Sequence, residues 1–156
     1  MKLQSFSMES ETACTVQYVT FYLGDRFFGI PVTEVQELVK CQEITPVPLA
    51  PPEIEGLTNL RGQIVTAINL RHSLRLGPRP AYQSPMNIVV RSEEGAISLV
   101  VDELGDIIDV PVSTYERPPS TMPAHEKDLI SDVCKLEDRL LLVLNTGYFL
   151  QNHFSK

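Results

Sequence analysis

The chain predicts a mainly β protein made of two small antiparallel β-barrels packed side by side, with a short helix after the last strand of each. Three observations carry this. Runs of β-branched and aromatic residues are broken by glycine and proline turns. The hydrophobic pattern of the first half returns in the second half in the same order. The length, 156 residues, leaves each copy a small core that would be marginal alone, so the copies must share an interface and unfold together. A single β-sandwich of about ten strands is the alternative that accounts for the same strands without the repeat.

Val16 to Leu23 is rich in β-branched and aromatic residues and predicts the first strand. Gly24-Asp25 is a turn signal, and Arg26 to Ile30 returns as the second strand. After Pro31, the apolar positions Val32, Val35 and Leu38 fit either one helical turn or a strand edge; the window is too short to decide. Pro46, Pro48, Pro51 and Pro52 then mark a loop, because proline cannot occupy central strands. Residues 55–60 and 63–69 predict a tight hairpin. Leu70 to Leu76 predicts a short helix that stops at Gly77 and Pro78.

Asn87 to Arg91 reads as a strand, Glu93-Glu94-Gly95 as a turn and Ala96 to Val101 as the return strand. Displaced by 69 residues, Phe28, Ile30, Val32, Val35, Leu38 and Val39 fall on Ile97, Leu99, Val101, Leu104, Ile107 and Ile108. Displaced by 76 residues, Leu60, Ile64, Val65, Ala67, Ile68, Asn69 and Leu74 fall on Leu136, Leu140, Leu141, Val143, Leu144, Asn145 and Leu150. The displacement changes inside loops, where insertions cost little. The expected division is a loose tail over residues 1–13, a first subdomain over about 14–80, a second over about 81–145, and a C-terminal helix over about 146–153.

The net charge of −7 argues against nucleic acid as a partner, since phosphate binding needs clustered Lys and Arg. It argues equally against an electrostatic membrane anchor, and no apolar run approaches the ~20 residues of a membrane span. The first residues carry one Lys and no apolar core, unlike a secretory signal. Cys14, Cys41 and Cys134 are isolated and predict three reduced thiols of a cytosolic protein, not a zinc framework.

Catalytic signatures are missing: neither GxGxxG, GxxxxGK[ST], HExxH nor GxSxG occurs. His72, His125 and His153 stand apart from one another. The acids Glu93-Glu94, Asp102-Glu103 and Asp106 read as solvated turn residues. The chain is therefore expected to bind rather than catalyse, without metal or other cofactor.

Gly56-Leu57-Thr58-Asn59-Leu60-Arg61-Gly62-Gln63-Ile64-Val65 with Asn69-Leu70-Arg71, together with Phe28-Gly29-Ile30-Pro31-Val32, Val35-Gln36-Glu37-Leu38, Leu99-Val100-Val101-Asp102 and Leu136 to Leu141, resembles the signature of the CheW family of chemotaxis coupling proteins. The resemblance spans about residues 15–150. It implies two SH3-like, five-stranded β-barrel subdomains. It also implies a non-enzymatic cytoplasmic adaptor, recruited to membrane-bound arrays, that bridges the hairpin tip of a chemoreceptor and the regulatory domain of a CheA-type histidine kinase. Two departures, Thr66 where the family usually has Pro and Asn69 where it usually has Asp, leave room for a non-flagellar chemosensory system. A small-barrel module for another ligand is the alternative of a different class, but it would need a basic or aromatic face.

By this resemblance Glu37 and Arg61 form an orienting ion pair, which if exposed contributes only about 0–1 kcal/mol to stability. Ile54, Gly56, Leu57, Asn59, Leu60, Arg61 and Gly62 are candidates for the kinase interface, with Gly56 and Gly62 expected at positive φ or at a close backbone approach. Val32, Val35, Leu38, Val100 and Val101 are candidates for a receptor groove between the barrels. The repeat sharpens one point: the equivalents of Arg61 and Gly62 are Glu137 and Asp138, so the polar bend of the first copy is not required to build a barrel.

Overall fold

The computed structural model describes residues 14–40, 43–80, 84–92 and 95–154. The expected tail, Cys41 and the Glu93-Glu94 turn lie outside them. Strands β1 (Thr15–Leu23) and β2 (Arg26–Pro31) form the first hairpin, closed by Leu23 opposite Arg26 with Gly24 at φ 63°. The ambiguous segment after it is both of the things it resembled. Pro31 ends β2, Val32–Glu34 makes one 3₁₀ turn, and β3 (Val35–Lys40) is a strand of alternating exposure. Next come β4 (Ile44–Thr45), β5 (Ile54–Leu60), β6 (Gln63–Asn69) and helix α1 (Leu70–Ser73). Asn69 caps α1, its Oδ1 accepting from the His72 amide at 3.1 Å, as a capping Asp would. The helix stops short of Leu76 because Arg75 sits at φ 57° and Gly77 at φ 80°.

The second half continues with β7 (Met86–Ser92), β8 (Gly95–Val101) and β9 (Glu103–Pro111). A second 3₁₀ turn over Val112–Thr114 leads to β10 (Tyr115–Glu116), α2 (Ala124–Lys127), β11 (Ile130–Lys135), β12 (Leu140–Leu144) and helix α3 (Thr146–Phe154). The acids from Glu103 to Asp109 thus lie on a strand, not in a turn.

Two six-stranded sheets result, ordered β10-β11-β12-β2-β1-β9 and β3-β7-β8-β6-β5-β4. In each, the sixth strand is a two-residue edge. Two features correct the expectation of antiparallel barrels made one from each half. Every sheet draws strands from both sides of residue 80, so the two SH3-like subdomains are interleaved along the chain. The strands from different halves also meet in parallel at β6–β8 and β12–β2.

The repeat is nonetheless residue-accurate. Thr66 pairs with Ile97 and Ala67 with Ser98 at one junction; Leu142 pairs with Phe28 and Val143 with Gly29 at the other. The same displacements, 76 for the first member and 69 for the second, turn one set into the other. Leu38 opposite Ile88 likewise becomes Ile107 opposite Val19.

Three apolar clusters fill this frame. The largest lies between the sheets and joins Phe21, Leu23, Phe28 and Ile30 to Ile68, Ile88, Ile97, Leu99 and Phe149. Tyr18, Val110, Cys134, Leu141 and Val143 fill one curled sheet; Leu60, Val65, Val89 and Ala96 fill the other. Since the largest cluster belongs to both halves, neither half buries its apolar surface alone.

In the proline loop Leu49 is fully exposed at φ 67°. A left-handed backbone costs a leucine roughly 1–2 kcal/mol and an asparagine less. Leu49→Asn is therefore expected to raise the unfolding free energy by about 0.5–1 kcal/mol, read as a shift of the denaturant midpoint at unchanged slope.

Candidate protein-binding surfaces

The β5–β6 hairpin closes through two residues, Leu60 standing opposite Gln63. Both bend residues have positive φ, Arg61 at 55° and Gly62 at 85°, the geometry of a type I′ turn, whose twist matches the flanking strands. Asn59 Oδ1 accepts from the Gly62 amide at 2.9 Å and ties the bend together. Asn59 and Gly62 therefore have a local structural reason. Arg61 has none of that kind: its side chain is 79% exposed and its Nε lies 3.4 Å from Glu37 Oε2 on β3.

Strand alternation sorts the rest of the hairpin. Leu57 and Asn59 point outward with Ile64, which stands opposite Asn59; Leu57 is 38% and Ile64 59% exposed. Leu60 points the other way and is buried with Val65, which corrects its candidacy as a contact residue. Ile54 packs against the central cluster. Gly56 is buried at φ 152°, and a Cβ there would lie 2.3 Å from the Thr45 carbonyl oxygen. It is a close-packing position, as expected of one of the two glycines. Ile64 was not among the sequence candidates. Its place opposite the outward Asn59, across a two-residue bend, is the signal that finds it.

Of the groove candidates, Leu38 is 37% exposed on β3. Val32 is half-buried on the 3₁₀ turn, and Val35 packs against the central cluster. Val100 and Val101 are fully buried and are corrected to core. They lie on β8, which is paired on both edges and covered on both faces, so its apolar run does not alternate.

The repeat-equivalent bend, in β11–β12, is built differently. Leu136 donates its amide to the Arg139 carbonyl at 2.9 Å. Arg139 lies over the Phe27 ring, 4.4 Å from its centroid, and donates to the Tyr22 hydroxyl at 2.8 Å. Leu140, equivalent to Ile64, is again exposed.

Two ionic clamps join the halves. Asp102 is buried, not a solvated turn acid. Its carboxylate accepts from Arg71 Nε at 2.9 Å, Arg79 Nε at 2.9 Å and the Gly24 amide at 2.7 Å. Burial alone would raise its pKa, but Arg71, the Gly24 amide and Arg79 outweigh that and hold it below the ordinary value. Glu126 takes a two-point contact from Arg26, at 2.8 and 3.0 Å, and that guanidinium keeps its carboxyl low against the opposing effect of burial. Glu34 adds a lighter link, accepting from Thr146 Oγ1 at 2.6 Å. Cys134 is free, and burial pushes its thiol up to about 11, so it stays a protonated core residue; Cys14 is also free. Among the described residues no group of three or more His, Cys, Asp or Glu could hold a metal ion, and no helix is long and apolar enough to cross a membrane.

Comparison with known proteins accounts for this arrangement. Residues 17–153 match the model of the CheW-like domain. The chain is 30% identical over 133 residues to the chemotaxis protein CheW of Treponema pallidum, covering 83% of this chain and 78% of that one. It is 28% identical over 149 residues to the CheW of Bacillus subtilis, covering 96% of each. Among solved structures it is similar to the scaffolding protein TtCheW of Thermoanaerobacter tengcongensis, with a TM-score of 0.76 and 26% identity over 84% of this chain and 89% of that one. The chain thus belongs to the CheW-like family, as a scaffold-type chemotaxis protein and not an enzyme.

Proposed function

We propose that this chain is a cytoplasmic coupling adaptor that holds a CheA-type histidine kinase against chemoreceptors at the membrane. The observation that carries the reading is the outward face of the β5–β6 hairpin. Leu57 and Ile64 offer apolar area there, and Arg61, steered by Glu37, stands beside them at the bend. A rigid two-residue turn presents these groups without the entropy cost of ordering a loop on contact. The kinase regulatory domain takes this face. The receptor hairpin meets the surface around Leu38, exposed on β3 two residues from Lys40, and Val32, half-buried on the preceding 3₁₀ turn.

Copurification with a kinase regulatory domain and a receptor signalling fragment tests the reading, with the Arg61→Ala variant alongside. Because the Arg61 side chain is largely solvated, its loss is expected to change the unfolding free energy by no more than about 1 kcal/mol, while kinase capture falls. Failure of the native chain to capture either partner would reject the coupling role. Unchanged kinase capture by the variant, or collapse of its fold, would reject the role given to Arg61.

A further inference from the structure

The two curled sheets enclose interiors that are not alike. In one, Tyr18 meets Tyr115 through their hydroxyls, beside Leu141 and Cys134. In the other, the repeat sets Asn87 in the place of Tyr18 and Ser98 in the place of Gly29. Both are fully buried, and strand pairing shows where they point. Asn87 stands opposite Val39, and Ser98 opposite Val89. Side chains directly opposite share a face. Val39 and Val89 pack with Leu60, Val65 and Ala96, so Asn87 and Ser98 face that same interior. They are diagonal neighbours across β7 and β8, because Asn87 pairs with Val100 on the second strand.

Neither end of the Asn87 amide meets a protein partner, nor does the Ser98 hydroxyl, and the two side chains do not bond to each other. The nearby Thr58 hydroxyl is already used, donating to the Glu43 carbonyl at 3.0 Å. The repeat also shows that this interior is the roomier one. A Cβ at Gly29 would lie 3.1 Å from Leu141 and 3.4 Å from the Tyr18 Cβ, so the second interior is filled at this level. At the matching places the first has Val65 for Leu141, Ala96 for Phe27 and Asn87 for Tyr18. The Ser98 hydroxymethyl takes back only part of that volume. Buried polar groups are costly without a partner, and a polar interior with spare volume is where a protein holds internal water. We propose that the interior closed by Leu60 and Val65 of the β5–β6 hairpin binds an ordered water molecule. The water accepts from Asn87 Nδ2 and donates to Asn87 Oδ1 and Ser98 Oγ, matching the about three bonds that internal waters make. The site stands whether or not the chain acts as a coupling adaptor.

Magnetic relaxation dispersion of isotope-enriched water oxygen tests this by detecting water molecules held inside the protein. The native chain is expected to show such water. The double variant Asn87→Leu/Ser98→Ala should lose the contribution of one molecule, since replacing both polar groups leaves neither stranded. Equal dispersion from the two proteins, or none from the native chain, would overturn the proposal. If the variant folds poorly, a crystal structure of the native chain decides. A water within hydrogen-bond distance of both side chains sustains the site, and a direct Asn87–Ser98 bond with no water between them overturns it.

Discussion

Asp102→Ala is expected to lower the unfolding free energy by about 3–5 kcal/mol, the cost of leaving a buried cation without its counter-charge. The substitution strands Arg71 inside the protein, leaves Arg79 Nε without its carboxylate and removes the acceptor of the Gly24 amide. Urea denaturation at neutral pH reads the loss as a fall in midpoint. A change below about 1 kcal/mol would show that water reaches the clamp and that it resembles a surface pair. Replacing Asp102 and Arg71 together by apolar residues should recover much of the loss, because the damage lies in the unpaired charge.

The two ionic clamps are together expected to set the acid limit of the fold. Asp102 has its pKa held below the ordinary 3.8, and Glu126 below the ordinary 4.5. In that range the unfolded chain binds protons that the native chain refuses. The stabilisation is therefore complete above the unfolded values and drains away as pH falls through the native ones. The denaturation midpoint should be flat above pH 4.5 and drop below it, and Asp102→Ala should show a shallower drop.

The second large effect falls on binding. Leu57→Glu and Ile64→Glu should each weaken kinase capture at least tenfold, about 1.4 kcal/mol or more, by placing an unpaired charge in the centre of an apolar contact. Both residues face outward, so stability should change by no more than about 1 kcal/mol, the range of strand propensities. Leu60 provides the contrast. It lies between Leu57 and Ile64 in sequence but points inward, and Leu60→Ala should cost about 2–5 kcal/mol as a core truncation. Equal kinase capture by the two outward variants and the native chain would place the contact elsewhere.

The strands bounded by chemical turn signals were legible in the sequence, because glycine and proline act locally. The β1–β2, β5–β6 and β7–β8 hairpins fall within a residue or two of expectation. So does the start of α1 at Leu70. What escaped was everything decided by a distant neighbour. Asp102 looked like a turn acid because Arg71, which buries it, is 31 residues away. Val100 and Val101 looked like groove residues because only the sheet order makes β8 a strand covered on both faces. The repeat identified equivalent strands but could not say which copy each would pair with, since both pairings satisfy the same alternation. At the hairpin the residue types at Asn59, Arg61 and Gly62 suggested a special bend. Their division into two that hold the turn and one left over for another task needed the backbone angles.

The interleaved strand order has a consequence for quality control under the proposed coupling role. If each subdomain were a consecutive stretch, a damaged copy could lose one barrel and keep the other, competing for one partner while being unable to reach the second. Here each sheet contains strands from both halves, and the largest apolar cluster belongs to neither alone. Loss of the shared cluster is therefore expected to unfold both faces together. Under that role a faulty copy would lose both contacts together instead of lingering as a one-handed decoy.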